Sequence, residues 1–426
     1  MKRVEKHFIK TKHQWFEYCA SITSCSKRLF NLVQFTQRQG FLYGHGTQVQ
    51  GKIDKMFQSH ECYKAMPSKV SQLVLKQNVD GWREFFAALK SYAKDPAKFT
   101  GRPRPPGYIK RFNLVKFNTQ AISKRNFNKG IIALSMSPIR IPVKAGITLE
   151  NLCEVRIVPK VGFFVVEVVY EEDTSNFFGS LTQLAASIDI GLDNLATVVF
   201  NDGKTQPIII NGKPLKSANQ FYNKQVGKFK SLLPQGVYTS SRIENIVKNR
   251  NCFIDSYLHQ SSRMLVNEMV ANGVTHVAIG KNEQWKSKIN LGKQTNQKFV
   301  QVPHARFIKM LTYKLEAVGI KVTVGEESYT SKTSFLDWDT IPTYTPNKNK
   351  KHTFSGKRVT RSWYVSKDGF KIHADVNGAF NIGRKVIPTA FECLNSIVQR
   401  DRGCLVVHPR RLTPIFRRDC AQPGVA

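Results

Sequence analysis

The first part of the chain carries its apolar residues at helical spacing. Between residues 13 and 95 they recur every three or four positions, which brings side chains onto one face of a helix. A first helix is marked by Trp15, Phe16, Ile22, Leu29, Phe30 and Val33. Pro67 begins a second helix, because proline is favoured at the first helical position. A basic, turn-rich linker at 95–111 follows, and residues 112–170 then alternate like strands.

The second part of the chain has a different order of elements, and a polar stretch near 172–182 separates it from the first. Short apolar runs predict strands at 187–190, 195–200 and 207–210, followed by a long helix at about 241–271. A strand, a helix and another strand are then predicted at 274–279, 303–318 and 320–324. Three antiparallel strands followed by strand–helix–strand is the layout of an RNase H-like α/β domain, in which the crossover makes the last two strands parallel neighbours. We therefore expect a multidomain α+β protein.

Composition narrows the class of partner. The 426 residues carry a net charge of +35, and 41% of them are hydrophobic, which excludes a disordered chain. A polyanion is the natural partner of such a charge, because each Lys or Arg on a phosphate releases counterions. The sequence lacks the roughly 20 consecutive apolar residues that a membrane span needs. The charged residues 1–6 have no apolar core behind them, so we do not expect them to be a secretory signal. The 8 scattered cysteines fit reduced thiols in a cytoplasmic protein.

Two aspartates are candidates for metal chemistry. Asp189 lies within an apolar strand, and Asp375 lies in the opening turn of a helix near the C-terminus. Phosphodiester cleavage with paired Mg²⁺ ions needs about three carboxylates from separate elements, and these residues supply two. Ordinary structural roles are the alternatives: Asp189 would pair with a nearby lysine, and Asp375 would cap its helix.

Longer segments of the sequence resemble a known family. The chain resembles TnpB in several places. They are the blocks at 188–196, 276–301, 326–336 and 354–382, the segment from Phe99 to Tyr108, and the D-x-x-x-H-x-x-S pattern of Asp255, His259 and Ser262. TnpB is the transposon-encoded RNA-guided nuclease related to type V CRISPR effectors. The resemblance implies a RuvC nuclease domain, a helical recognition lobe and a wedge β-barrel. It also implies that Asp189 and Asp375 are the first and third RuvC carboxylates.

The same resemblance implies boundaries and partners. The wedge β-barrel would comprise residues 1–12 and 97–182, the recognition lobe 13–96, and the RuvC domain 183–426. The partners would be a guide RNA from the transposon end and a target double-stranded DNA, bound by a monomer with one RNA in the prokaryotic cytosol. No membrane partner is expected.

The sequence departs from the family pattern at two places. Gly280 stands where the family's second carboxylate, a glutamate, ends its strand. Glu327 follows the neighbouring parallel strand, about 4.8 Å away, and matches the family members whose displaced glutamate precedes Ser-Tyr-Thr-Ser. We expect Glu327 to replace the missing ligand; the alternatives are Glu283, or a dead nuclease in which Glu326 and Glu327 are solvated. Residues 328–370, where the family has its zinc-finger insert, contain no cysteine, so no zinc is expected. The three carboxylates are expected to hold two Mg²⁺ ions.

Basic residues interleaved with aromatic ones are candidate nucleic-acid contacts. Such mixtures suit phosphate contact together with stacking on bases, although a solvated basic surface is the alternative for any one run. The candidates are Lys69, Gln72, Lys76, Arg102, Lys281, Trp285, Lys286, Lys357, Arg358 and Arg361.

We therefore expect an RNA-guided DNA endonuclease that cleaves next to a short flanking motif by two-metal hydrolysis. One alternative is an RNA-guided DNA-binding protein that has lost cleavage. A transposase is the other, although its carboxylates usually run Asp, Asp, Glu along the chain, whereas the candidates here run Asp, Glu, Asp.

Overall fold

The chain folds into two compact units, Met1–Asp173 and Thr174–Ala426. The computed structural model describes residues 2–172, 184–281, 302–343, 352–400 and 402–414. No helix within these ranges is long and apolar enough to cross a membrane.

The first unit contains the predicted helices. Its helices are α1 (Phe16–Leu42), α2 (Gln50–Phe57), α3 (Glu61–Lys64), α4 (Ser68–Lys94) and α5 (Lys124–Phe127), with 3₁₀ turns at Pro96–Lys98 and Thr119–Ala121. Helices α1 and α4 pack through the apolar stripe that the spacing predicts, with Leu29 and Val74 buried. A buried amide fixes their register, because Gln34 Oε1 accepts hydrogen bonds from Asn78 Nδ2 (2.7 Å) and Trp82 Nε1 (3.1 Å).

The strands of the first unit form two sheets. They are β1 (Lys2–Ile9), β2 (Val115–Asn118), β3 (Ile131–Ala133), β4 (Arg140–Pro142), β5 (Leu152–Lys160) and β6 (Phe163–Glu171). One sheet is antiparallel in the order β1-β6-β5-β2, and β3 pairs with β4 in the other. The hairpin predicted within the alternating stretch is β5–β6. Closure of these strands into a wedge β-barrel stays a prediction.

The second unit is built on one mixed sheet. Its strands are β7 (Ala185–Asp189), β8 (Asn194–Phe200), β9 (Ile208–Asn211), β10 (His276–Gly280), β11 (Lys321–Gly325) and β15 (Arg410–Leu412), with a smaller sheet of β12 (Lys357–Arg358), β13 (Trp363–Val365) and β14 (Lys371–His373). The main sheet has the order β11-β10-β7-β8-β9-β15. Strand β8 is antiparallel to both of its neighbours, β7 and β9, whereas β10 and β11 run parallel to β7. This is the layout that the sequence predicts.

Helices cover both faces of this sheet. They are α6 (Lys213–Lys230), α7 (Ser241–Ala271), α8 (His304–Glu316), α9 (Ala374–Val386), α10 (Pro388–Phe391) and α11 (Cys393–Arg400), followed by a 3₁₀ turn at Arg402–Cys404. Ile188 and Val198 point to the face covered by α7 and α8, and Ala185 and Val199 to the face covered by α9. The two faces explain why these strands are apolar at almost every position rather than at every second one.

Some elements differ from the prediction. Strand β7 ends at Asp189, so this residue closes the strand rather than lying in its middle. Helix α6 was not predicted, although Leu215, Ala218, Tyr222, Val226 and Phe229 recur along it at helical spacing. Only Leu215 and Asn219 of its 18 residues are buried. Strand β15 was not predicted either, because two of its three residues are arginines, Arg410 and Arg411, and no apolar run marks it.

Candidate active site

Asp189 lies at the carboxyl end of the central strand β7. The residues before and after it, Ile188 and Ile190, are buried, so the aspartate is held at the end of the sheet where β7 terminates. Helix α9 crosses close to it, because a Cβ added at Gly378 would lie 3.1 Å from Asp189 Oδ2. Ser187 Oγ donates a 2.5 Å hydrogen bond to the carbonyl of Ala379 and fixes this crossing. The absence of a side chain at Gly378 therefore lets the helix and the carboxylate meet.

Glu327 occupies the space that Gly280 leaves open. Strands β10 and β11 are parallel, and Gly280 pairs with Gly325, so Glu327 follows two residues beyond that pair. A Cβ added at Gly280 would lie 2.5 Å from Glu327 Oε2 and 2.6 Å from Ile382 Cδ1. The carboxylate thus lies where the side chain of a residue at 280 would begin.

A tight turn holds Glu327 in this place. Its carbonyl oxygen accepts hydrogen bonds from Thr330 N (3.3 Å) and Thr330 Oγ1 (2.8 Å). Tyr329 adopts a left-handed conformation with φ of 68°, a strain that a non-glycine residue sustains only where the surroundings enforce it. Asn381 Nδ2 of helix α9 donates to the carbonyl of Thr330 (3.0 Å) and ties the turn to the helix. The Ser-Tyr-Thr-Ser segment therefore positions the glutamate.

The two adjacent glutamates have different environments. Glu326 is exposed and forms a 2.5 Å ion pair with Lys385 Nζ, and its other oxygen accepts a hydrogen bond from the Ser328 backbone N–H. Glu327 is instead drawn into the sheet edge beside Gly280. The structure thus distinguishes the two glutamates, with Glu327 as the inward residue.

Asp375 lies in the first turn of helix α9. His373 caps this helix, and its Nδ1 accepts the backbone N–H of Asp375 at 3.3 Å. The Asp375 carboxylate accepts a 2.6 Å hydrogen bond from Asn194 Nδ2 of strand β8, and Arg358 of strand β12 lies 3.6 Å from its other oxygen. Asp375 is thus held from three sides, more firmly than a simple cap requires.

The three carboxylates interact electrostatically. Burial raises the pKa of Asp189 well above its ordinary value, and the nearby Glu327 and Asp375 carboxylates raise it further, while Arg358 opposes them. Burial and the charge of Glu326 raise the pKa of Glu327 to about 7. Carboxylic acids whose pKa values are raised by burial and by one another concentrate at functional sites.

The donor chemistry of this edge suits Mg²⁺, which prefers carboxylate oxygens. The space at Gly280, where a side chain would otherwise sit, holds one of these oxygens. As they stand, however, no three His, Cys, Asp or Glu side chains in the described ranges are gathered tightly enough to hold an ion. The residue types at this end of the sheet nevertheless match those that hold Mg²⁺ in proteins.

The basic residues of the small sheet lie beside the carboxylates. Arg358 faces Asp375, and Arg361 forms a 2.6 Å ion pair with Asp193, while Lys357 is exposed. Lys281 is also exposed, directly after Gly280 at the end of β10. The other predicted residues of that loop, Trp285 and Lys286, and the alternative ligand Glu283, lie outside the described residues.

The remaining predicted contacts belong to the first unit. Lys69, Gln72 and Lys76 follow one another at helical spacing along α4, and the two lysines are exposed. Arg102 is exposed in the linker. These positions are accessible to a nucleic acid, and their role as contacts stays a prediction.

The D-x-x-x-H-x-x-S pattern joins two helices of the second unit. Asp255 of α7 pairs with Arg306 of α8. Lys314 Nζ of α8 donates hydrogen bonds to the carbonyl of His259 (2.8 Å) and to Ser262 Oγ (2.6 Å). These contacts lock α7 to α8 on one face of the sheet, so the pattern has a structural role.

Hydrogen bonds hold the segment in which cysteines are missing. Asp339 accepts hydrogen bonds from Ser334 N (3.2 Å), Ser355 N (3.0 Å) and Ser355 Oγ (2.6 Å). The fully buried Asn377 of α9 accepts from the backbone N–H of Phe335 (2.9 Å) and donates to the carbonyl of Thr333 (2.8 Å). A carboxylate and an amide thus cross-link the segment that the resemblance would have closed with zinc.

Sequence reasoning missed Asn194 and Lys385. Asn194 is the first residue of β8 and orients Asp375, whereas Lys385 binds Glu326 and donates to the carbonyl of Ser328 (2.7 Å). Asn194 lies in the block 188–196 that carries the resemblance, which was the available signal. No sequence pattern marked Lys385, because its partner Glu326 is 59 residues away and the chain contains many other lysines.

The fold and the site define a class. The second unit is a mixed α/β fold with RNase H-like strand order. Strand β7, the segment after strand β11 and helix α9 each place one acidic side chain at the same end of its sheet.

Comparison with known proteins agrees with this class. A family model described as a probable transposase (OrfB_IS605) matches residues 168–286, and a Cas12f1-like TNB domain model matches residues 304–382. The TnpB-like protein ORF457 of Acidianus two-tailed virus is 22% identical over 411 residues, covering 86% of this chain and 82% of that protein. The chain is thus similar to a TnpB-like protein over most of its length, and its residues 304–382 are similar to a Cas12f1-like domain.

Two solved complexes were also matched, each at 14% sequence identity. A Cas12f1–sgRNA–target DNA complex has a TM-score of 0.33, with 90% of this chain and 98% of the other covered. A CRISPR–Cas12f ternary complex has a TM-score of 0.35, with coverages of 86% and 80%.

Proposed function

We propose that this protein is an RNA-guided DNA endonuclease that cleaves its target beside a short flanking motif. The observation that carries the proposal is the position of Glu327, whose carboxylate lies 2.5 Å from where a Cβ at Gly280 would be. A glutamate that merely solvated a loop would have no reason to be drawn into a sheet edge beside two other carboxylates. The second unit would be the RuvC nuclease domain, and the first would form the recognition lobe and wedge.

Asp189, Glu327 and Asp375 would together hold two Mg²⁺ ions. When bound, such ions activate water and stabilise the leaving oxygen of the cleaved phosphodiester. The protein contributes the placement of the ligands: Gly378 admits Asp189, the turn at Tyr329 aims Glu327, and Asn194 orients Asp375.

The basic side chains at the site would contact the phosphate backbone. Arg358, Arg361 and Lys357 lie on or beside strand β12, next to the acidic edge, and Lys281 follows strand β10. In the guided mechanism, base pairing with the guide reads the target while the protein contacts backbone and flanking motif. The net charge of +35 would suit both a guide RNA from the transposon end and a double-stranded DNA target.

The test begins with RNA recovered from the purified protein. Sequencing is expected to reveal one enriched structured RNA encoded beside the gene; heterogeneous cellular RNA without such enrichment would count against guidance. With that RNA bound, Asp189→Ala and Asp375→Ala should abolish Mg²⁺-dependent cleavage and retain guided DNA binding. Loss of binding in both variants would instead assign them structural roles.

A matched pair of variants tests the third carboxylate. Glu327→Gln is nearly isosteric and should eliminate cleavage, because an amide is a poor ligand for Mg²⁺ in place of a carboxylate. Glu326→Gln changes the adjacent residue in the same way and should leave cleavage intact, because Glu326 faces Lys385. Equal activity of the two variants would refute the assignment of Glu327.

A binding-only protein is the second candidate. It is favoured by Gly280 at the usual glutamate position and by the spread of the carboxylates within the described part of the chain. Guided binding by the wild type, without cleavage at any Mg²⁺ concentration tested, would establish this alternative.

A further inference from the structure

Helix α6 presents a basic stripe that the candidate active site does not use. The stripe consists of the exposed residues Lys213, Ser217, Gln220, Phe221, Lys224 and Lys228. At 3.6 residues per turn these positions lie within about one third of the helix circumference. Leu215 and Asn219, the buried residues of the helix, lie on the opposite side. The stripe is therefore the face that α6 turns to solvent.

The hairpin of α6 and α7 stands away from the core of its unit. Past Asn219, the rest of α6 contains no buried residue, and α7 has only Ile243 buried before Ile254. Phe221 is nevertheless 63% exposed in the middle of the stripe, and Tyr238 is 84% exposed in the loop that joins the helices. Large aromatic side chains on a projecting hairpin contribute nothing to a core, so they are available to a partner.

The charge of the stripe defines the chemistry of that partner. The 18 residues of α6 contain five lysines and no acidic residue. Lys216 pairs with Asp193, whereas no acidic side chain in the described ranges lies within ion-pair distance of Lys224 or Lys228. A helix face that serves only solubility ordinarily mixes both signs of charge, since i, i+4 pairs of opposite charge support the helix. This face is complementary to a polyanion.

From these observations we infer that the α6 stripe is a binding site for single-stranded nucleic acid. Lys213, Lys224 and Lys228 contact successive phosphates, and Phe221 between them stacks on a base or sugar, the combination that strand-tracking surfaces use. From Lys213 to Lys228 the stripe extends over about 22 Å, enough for several nucleotides. The inference deepens the proposed function, because a guided nuclease handles both a guide RNA and a displaced DNA strand.

Lysine footprinting locates the site directly. The full chain, freed of nucleic acid at high salt, is labelled with an amine-reactive reagent in the absence and presence of (U)20 RNA or (dT)20 DNA. Mass spectrometry then compares Lys224 and Lys228 with Lys309, an exposed lysine of α8 in the same unit. Protection of the stripe with Lys309 unchanged supports the site, and the two probes distinguish RNA from DNA. Unchanged labelling of the stripe, or equal protection of Lys309, overturns it.

Charge variants measure the strength of the contact. Lys224→Gln with Lys228→Gln removes two phosphate contacts, which should lower the salt dependence of log K by about 1.4 and weaken oligonucleotide binding about tenfold at 0.15 M salt. Lys224→Arg with Lys228→Arg keeps the charge and should bind like the wild type. Lys309→Gln with Lys321→Gln removes the same charge from exposed positions elsewhere and should weaken binding less than the stripe variant. If the two glutamine pairs weaken binding equally, the net charge of the protein alone explains binding, and the proposed site is overturned.

Phe221→Ser tests stacking separately and should weaken binding about fivefold or more, with no change in the salt slope. Unaltered binding by this variant would overturn the stacking contact. None of these measurements involves a target or a guide. A protein that binds through the stripe but never cleaves would therefore refute the proposed nuclease and leave this site standing.

Discussion

Gly280→Ala adds one methyl group at the point where Glu327 lies. The new Cβ would be 2.5 Å from Glu327 Oε2, whereas ordinary van der Waals contact begins at 3.4 Å, so the carboxylate must move by about 0.9 Å (3.4 − 2.5). Misplacement of a reacting group by about 1 Å costs on the order of 100-fold in rate. We therefore expect cleavage to fall by about 100-fold while guided DNA binding persists.

The same methyl group also meets the core. Ile382 Cδ1 would lie 2.6 Å from it, and Ile382 is buried, so overpacking should destabilise the variant by about 1–3 kcal/mol. Adding Ile382→Val removes that methyl carbon and leaves the clash with Glu327. The double variant Gly280→Ala/Ile382→Val thus separates displacement of the carboxylate from damage to the core.

Gly378→Ala is the matched comparison at the neighbouring carboxylate. Its Cβ would lie 3.1 Å from Asp189 Oδ2, which requires a shift of only about 0.3 Å (3.4 − 3.1). Alanine also suits a helix better than glycine, by about 1 kcal/mol. We expect a stable protein whose cleavage falls much less than that of Gly280→Ala.

Single-turnover cleavage of a target by the guide-loaded protein measures the rates, and a binding assay on the same complexes provides the reference. The expected order of rates is wild type, Gly378→Ala, then Gly280→Ala/Ile382→Val. If the double variant cleaves at the wild-type rate, the position of Glu327 is irrelevant to catalysis and the reasoning is refuted.

Two further predictions concern stability. Burial, together with the charge of Arg263, lowers the pKa of Lys314 to about 8. Between about pH 8 and 10.5 the folded chain therefore binds fewer protons than the unfolded chain, and its stability rises with pH. Lys314→Met should flatten that rise in denaturant titrations, because the titrating group is gone; an unchanged pH profile would contradict it. Asp339→Ala should cost about 1–3 kcal/mol by leaving the Ser334 and Ser355 groups without their acceptor, and zinc chelation should shift the melting temperature of neither variant nor wild type. A chelator-sensitive melting temperature would show that the hydrogen bonds do not replace a metal.

Much of the main sheet could be predicted from the sequence because its inner strands β7, β8, β9 and β10 are apolar on both faces. Runs such as 195–200 mark buried strands, and the helix between 274–279 and 320–324 requires a crossover, so parallel pairing followed from chain geometry. The pairing of Gly280 with Gly325 confirms that expectation. The metal-binding role of the residues at this edge stays a prediction.

Features that depend on polar contacts were beyond the sequence. The separation of Glu326 from Glu327 depends on Lys385, and the orientation of Asp375 depends on Asn194, both of them partners distant in the chain. Such contacts leave no periodic signal, since they involve one residue at each end.

Strand β15 has a consequence for the order in which the site is completed during synthesis. Arg411 donates a 2.8 Å hydrogen bond to Asn194 Oδ1, and the same amide donates to Asp375, so the edge strand and the carboxylate share one link. Arg411 is 222 residues after Asp189 (411 − 189), which at ribosomal rates of about 5–20 residues per second is a delay of about 10–45 s. During that interval the nascent chain contains Asp189 without the full support of Asp375. A chain released before Arg411 would lack the link altogether, so the candidate site would gain its last orienting contact only from its late-synthesised strand.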